Sequence, residues 1–259
     1  MQIELQKVKS YENVFVVEYY DGYVAGGKYN VQNLNTTYMG FSASYGTIFF
    51  DNFDEAQVVA DKLNKQSTMN KIDYYENNAD SYIETSKDLN MDKFNAIVEE
   101  AIDSLDAPFP AKLLDIGFGA ARDMKYFKGK GLDIVGVDSC KKFVDNAKDM
   151  GLTAYQAYLP NLSMIPKEDI FDIIYSVGVL MHLDKKSRIE LFKNIKKNLT
   201  PGGFLIISYN TLDRTNDSNR LFYKLEKNVI DSEVEMTLVS EEIIVDSRGI
   251  EWITSTFVR

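Results

Sequence analysis

Leu113–Leu114–Asp115–Ile116–Gly117–Phe118–Gly119–Ala120–Ala121–Arg122–Asp123 decides how this chain is read. Its first four residues form a short, mostly apolar run of the kind that makes a buried strand. Two closely spaced glycines follow, where backbone can turn sharply and approach a ligand without a Cβ in the way. Met124 and Phe127 then open a helical stripe, so the glycine turn feeds a helix whose first N–H groups lack intrahelical partners.

Working outward, the alternation continues on both sides. Phe94, Ile97, Val98, Ala101, Ile102 and Leu105 have the spacing of one buried helical face, ended by Pro108 and Pro110. Leu132 to Val137 supplies the next strand and completes a βαβ unit. A helix bearing Phe143, Val144 and Ala147 follows, then strands at Thr153–Leu159 and Ile170–Ser176. After these come a helix with Ile189, Phe192, Ile195 and Leu199, and a strand at Phe204–Ser208. Strands alternating with helices predict an α/β fold, a Rossmann-like doubly wound and mostly parallel sheet with its ligand crevice at the carboxyl ends of the strands. Glu242–Val245, the turn Asp246–Gly249 and Ile250–Val258 predict a C-terminal antiparallel hairpin around Trp252, with core packing its expected role.

The first 70 residues read differently. Apolar runs flank Asp21–Gly22, a pair suited to a tight type I′ hairpin turn, and Tyr38–Phe50 looks like strand material broken at Gly46. Ala56, Val59, Ala60 and Leu63 share one helical face. A small N-terminal α+β unit over residues 1–70 is expected, then a polar linker, then the main domain over 71–259.

Composition excludes several classes. The 259 residues are 45% hydrophobic, the balance of a globular protein, and no run nears the roughly 20 apolar residues that span a bilayer. The N-terminus lacks the pattern of a signal peptide, so a cytoplasmic location is expected. One cysteine, Cys140, and one histidine, His182, cannot assemble a zinc site, and no metal is expected. A net charge of −10 disfavours nucleic acid as a partner, because the average field repels phosphates. Oligomeric state is not readable from the sequence.

Gly117-x-Gly119 alone is a weak signal, and two ligands compete for it. A dinucleotide-dependent oxidoreductase would need G-x-G-x-x-G, but Arg122 stands at the third glycine. Asp138, about 20 residues beyond the glycines at a strand end, suits the ribose of either ligand. Asp115 discriminates better: it places a carboxylate inside an apolar strand where a dinucleotide fold keeps a hydrophobic side chain.

Four blocks, L-L-D-I-G-F-G-A-A-R-D, V-G-V-D-S-C, F-D-I-I-Y-S-V-G-V-L-M-H-L and L-T-P-G-G-F-L-I-I-S, together resemble the class I S-adenosylmethionine-dependent methyltransferases in order and spacing. The resemblance covers roughly Tyr74 to Arg259 and implies S-adenosyl-L-methionine as cofactor. It implies that Asp115, Gly117 and Gly119 line the methionine part, that Asp138 holds the ribose and that Asn161 lies near the adenine, with Phe118, Arg122, Ser139 and Leu162 also among the cofactor-binding residues. Ser176 and Val177 complete the set. Two departures are Ala121 at the usual third glycine and Asn161 where many members carry aspartate. The segment Asp73 to Tyr82 resembles the N-terminal lid of small-molecule methyltransferases, including tellurite-resistance enzymes, with Tyr75 and Tyr82 closing over the sulfonium.

A small-molecule acceptor offering an O, N or S nucleophile is the expectation. His182 is the candidate general base, and Tyr209 and Asn210 are candidate acceptor contacts. The chain lacks the Asn/Asp-Pro-Pro-aromatic block of enzymes acting on exocyclic amines of nucleic acids. Cys140 is misplaced for cytosine-C5 chemistry and reads as a buried or incidental thiol. The alternative is a non-catalytic or protein-directed binding module that keeps the fold, with the N-terminal unit recognising a partner.

Overall fold

The computed structural model describes residues 15–19, 29–33, 49–50, 74–87, 89–106, 109–166, 168–214 and 220–259. The chain divides into two compact units, Met1–Lys71 and Ile72–Arg259.

In the first unit, β1 (Phe15–Tyr19), β2 (Tyr29–Asn33) and β3 (Phe49–Phe50) form an antiparallel sheet with β2 in the middle. Tyr19 pairs with Tyr29. The expected turn at Asp21–Gly22 lies outside the described residues. The helix expected over residues 54–63 lies outside the described residues.

The second unit opens with a helix over residues 74–86, α1. There follow α2 (Asp92–Asp103), β4 (Lys112–Ile116), α3 (Arg122–Gly129), β5 (Asp133–Asp138), α4 (Lys141–Asp149), β6 (Thr153–Gln156) and β7 (Phe171–Val177). The chain ends with α5 (Lys185–Asn198), β8 (Leu199–Tyr209), α6 (Lys227–Val234), β9 (Thr237–Val245) and β10 (Glu251–Val258). The strands form one seven-stranded sheet in the order β6-β5-β4-β7-β8-β10-β9. β4 to β8 run parallel and β10 runs antiparallel to both neighbours, so the sheet is Rossmann-like with a reversed C-terminal hairpin.

Period-two alternation on the central strands builds two cores. Leu113, Ile134 and Ile173 pack on one face with Phe94 and Val98 of α2, Met124 and Phe127 of α3, and Phe143 of α4. Leu114, Val135 and Ile174 pack on the other with Leu191, Phe192 and Ile195 of α5 and Ile230 and Val234 of α6. Each fully buried side chain of this size contributes about 1.5–3 kcal/mol. Helix α6 is an element the sequence reading did not anticipate; its short stripe sits within a long polar stretch. Asp184 caps α5 by accepting the Ser187 N–H at 2.7 Å. Among the described residues no helix is long and apolar enough to cross a membrane.

Candidate active site

The parallel strands β4 and β7 deliver their carboxyl ends, together with the segments that follow β7, β8 and β9, to a cavity of about 390 Å³. Gly117 and Gly119 line it in left-handed conformations, with φ of 73° and 56°. At Gly117 a Cβ would lie 2.3 Å from Cγ2 of Val179, so glycine is required by space as well as by dihedral. Gly136 on β5 has a comparable role, because a Cβ there would strike Met124 and Phe118, the latter a cavity residue. Ala121 also adopts φ 59° and is fully buried, so an alanine holds a left-handed turn that glycine would adopt without strain.

Carboxylates gather on this side. Asp115 is 4% exposed on β4 and Asp123 is buried at the start of α3. Burial holds the Asp115 carboxyl well above the usual range; Asp123 and Asp138 add to the effect and Arg122 opposes it. Arg122 forks both oxygens of Asp123, at 2.9 and 2.8 Å. Asp138, at the end of β5, accepts the amide N–H groups of Gly119 at 3.0 Å and Cys140 at 2.9 Å. Burial pushes its carboxyl up to about 6, against these amides, which favour the charged form. Next to Asp115, the hydroxyl of Tyr175 is buried with no hydrogen-bond partner although the residue lines the cavity. Burial also raises its pKa, so it stays protonated and remains a donor.

Helix α1 roofs the cavity. Tyr82 lies over Gly119, packs against Phe143 and stands edge-on to Tyr75, with ring centroids 6.0 Å apart. The Tyr75 hydroxyl is 3.0 Å from His182 Nε2, and His182 Nδ1 is 2.6 Å from the Leu221 carbonyl. A carbonyl only accepts, so Nδ1 carries a proton, and in a neutral ring Nε2 accepts from the Tyr75 hydroxyl. Arg122 Nη1 donates to the Ser86 carbonyl at 3.1 Å, and Glu76 accepts the Lys141 N–H at 2.8 Å, capping α4 from the neighbouring helix. Several independent bonds therefore hold the roof shut.

Residues 114–207 match the family described as Methyltransferase domain. That segment is a methyltransferase domain. A tRNA U34 carboxymethyltransferase of Hahella chejuensis is 33% identical over 121 residues, 44% of this chain and 36% of that protein. A probable S-adenosyl-L-methionine-dependent methyltransferase, TehB, of Haemophilus influenzae is 26% identical over 120 residues, 44% of this chain and 42% of that protein. The chain thus spans well under half the length of these curated relatives. An S-adenosylmethionine-dependent methyltransferase structure from Mesorhizobium loti superposes with a TM-score of 0.52 at 15% identity, over 62% of this chain and 96% of that one, a likeness of fold. The domain and its fold imply S-adenosyl-L-methionine as the cofactor. The cavity fits that group: a buried carboxylate, an unpartnered buried hydroxyl and two glycines in left-handed conformations, one of them, Gly117, with no room for a Cβ beside Val179, all face it.

The cavity brings together Asp115, Gly117, Phe118, Gly119, Arg122, Val177 and His182 from the matched segment with Tyr75 and Tyr82 from α1, all of the sequence-derived set. Ser139, Asn161, Leu162, Ser176 and Asp138 lie outside its lining. The Ser139 carbonyl accepts from Gln156, and exposed Asn161 takes the Ser163 N–H in a turn. Leu162 is core, and Ser176 bonds the Ile116 carbonyl. Of the candidate acceptor contacts, Asn210 lines the cavity, whereas Tyr209 is fully buried in the core with its hydroxyl unpartnered. Trp252 both packs against Phe94 and lines the cavity, held by an indole N–H bond to Asp246 at 3.0 Å. The thiol of Cys140 is buried and pushed up to about 12 by that burial. Sequence reasoning missed Tyr175, Asp123, Arg214 and Arg220. Strand alternation carried the signal for Tyr175, which shares the face of Ile173 and Val177, opposite Ser176.

Proposed function

We propose that the protein transfers a methyl group from S-adenosyl-L-methionine to an O, N or S nucleophile of a small molecule. The observation that carries this reading is the cavity lined by α1, in which buried Asp115 and the left-handed glycine turn meet the aromatic residues Tyr75 and Tyr82. Asp115, Gly117, Phe118, Gly119 and Arg122 would hold the amino-acid end of the cofactor. Asp138 with Ser139 would hold the ribose, and Asn161 with Leu162 the adenine side. The carboxylates favour a cationic ligand, and tyrosine faces favour a sulfonium. Bound cofactor supplies an already activated methyl group, so the protein's task is positioning and exclusion of water.

A small acceptor fits better than a nucleic acid because α1 contributes part of the cavity lining and the net charge is −10. His182 Nε2 faces the cavity through Tyr75, so that pair can receive a proton from an acceptor hydroxyl or ammonium. Calorimetry with S-adenosylmethionine and S-adenosylhomocysteine tests the reading. Both should bind in the micromolar range, and Asp138→Ala should cost about 1–3 kcal/mol, the scale of bonds to a charged group. Tighter binding of NADH than of either sulfur compound would refute it.

A further inference from the structure

We propose that the Tyr175 hydroxyl is a cofactor-binding donor: it reads the carboxylate at the amino-acid end of the cofactor while Asp115, beside it, reads the ammonium. The inference rests on the cofactor reading above. Among the described residues four buried side-chain polar atoms lack a hydrogen-bond partner: Asn95 Oδ1, Tyr175 Oη, Tyr209 Oη and Asp231 Oδ1. Of these four residues only Tyr175 lines the cavity. A buried donor without an acceptor opposes folding, and a phenylalanine would fill the same space without that cost. A hydroxyl kept in such a place, at the wall of a cavity, awaits an acceptor that arrives with the ligand.

The ring is set before the ligand comes. Tyr175 is 1% exposed and stands edge-on to Phe127, with centroids 6.1 Å apart, so packing leaves it little freedom to turn towards another partner. In the β4–β7 ladder Tyr175 pairs directly with Asp115, and residues paired in this way share a face of the sheet. The carboxylates of Asp115 and Asp123 lie near enough to raise the Tyr175 pKa beyond what burial does, and Arg122 near enough to oppose them. The hydroxyl therefore stays protonated and donates. Arg122, which forks Asp123, also offsets the negative charge gathered on that side.

Strand order fixes which end of the cofactor the hydroxyl meets. In the sequence β5-β4-β7, Asp138, proposed for the ribose, ends β5 on one side of Asp115, and Tyr175 lies on the other. The carboxylate is the acceptor group of the cofactor remote from its ribose. A methyl donor lacking that carboxylate would leave the hydroxyl orphaned, so the site selects the intact amino acid over its decarboxylated counterpart.

The test uses the full chain in calorimetry with S-adenosylhomocysteine and S-adenosyl-3-thiopropylamine, which differ only in the carboxylate. The parent should bind S-adenosylhomocysteine at least about ten-fold more tightly than the amine, the factor that one hydrogen bond to a charged group supplies. Tyr175→Phe should weaken S-adenosylhomocysteine about ten-fold and leave the amine unchanged. The empty variant should melt at or above the temperature of the parent, because an orphaned hydroxyl has been removed. Equal binding of the two compounds by the parent overturns the proposal, and so does a Tyr175→Phe variant that binds S-adenosylhomocysteine like the parent. Equal losses for both compounds, or a lower melting temperature, would give the hydroxyl a structural role and overturn it too. Failure of the parent to bind either compound refutes the cofactor reading instead, and the proposal falls with it.

Discussion

Asp115 and Asp138 illustrate how a ligand site opposes stability. A buried carboxyl with a raised pKa prefers its protonated form, so its stabilising contribution is full below the ordinary carboxylate range and is lost as pH rises through the raised value. At pH 8 the site therefore strains the empty protein. Asp115→Asn should raise the melting temperature at pH 8 while abolishing detectable S-adenosylhomocysteine binding, as thermal melts and calorimetry would show. A lower melting temperature would contradict the assignment. Asp138 carries a pH prediction with a value attached, since its carboxyl titrates near 6 and only the ionised form offers both oxygens as acceptors. S-adenosylhomocysteine should bind about ten-fold more weakly at pH 5 than at pH 7, the change expected for one proton titrating midway between them, with Asp115 acting in the same direction. Affinity that is flat across this range would remove Asp138 from the ligand shell.

At the scale of elements, α5 and α6 are joined by a buried ion pair beneath the turn that carries His182. Arg188 forks Glu233 at 2.8 and 3.0 Å and also donates to the Leu183 carbonyl at 2.8 Å. Both residues are about 5% exposed, so each charge depends on the other. Glu233→Gln should destabilise the domain by about 3–5 kcal/mol, read from a lower urea midpoint at unchanged slope, because it leaves a buried guanidinium charge uncompensated. A loss under about 1 kcal/mol would mean that water reaches Arg188. Replacing both partners with apolar residues of similar volume should cost far less, the expected signature of an ion pair that fixes geometry more than it stabilises.

For the whole molecule, the division into Met1–Lys71 and Ile72–Arg259 separates a small antiparallel sheet from the sheet that forms the cavity. The cavity residues and both cores of the larger sheet belong to the second unit. We propose that the first unit selects the acceptor or a partner, since units appended to a scaffold commonly supply specificity while the scaffold supplies chemistry. A chain beginning at Ile72 should keep its S-adenosylhomocysteine affinity by calorimetry and lose turnover on the natural acceptor or binding of the partner. Full turnover by that truncated chain would show that the first unit is not a specificity element.

The sequence by itself determined the alternating elements, the glycine turn between β4 and α3, and the reversed hairpin. Each of these is a local pattern: apolar periodicity, backbone freedom at glycine, or turn chemistry between two strands. It also singled out Asp115, because a carboxylate inside an apolar strand is conspicuous in one dimension. The β1–β2 register was not legible, because pairing between the strands set Tyr19 against Tyr29. Nor was the shape of the site. Tyr75 meets His182 across 107 positions and Arg122 reaches Ser86 across 36, contacts that exist only once α1 folds over the sheet. The stacking of Arg214 and Arg220 on Phe222 and the partnerless hydroxyl of Tyr175 likewise depend on what surrounds each group in three dimensions. Local rules place a residue on an element and a face; burial, charge and hydrogen bonding are properties of its neighbours, and only the tertiary structure chose those.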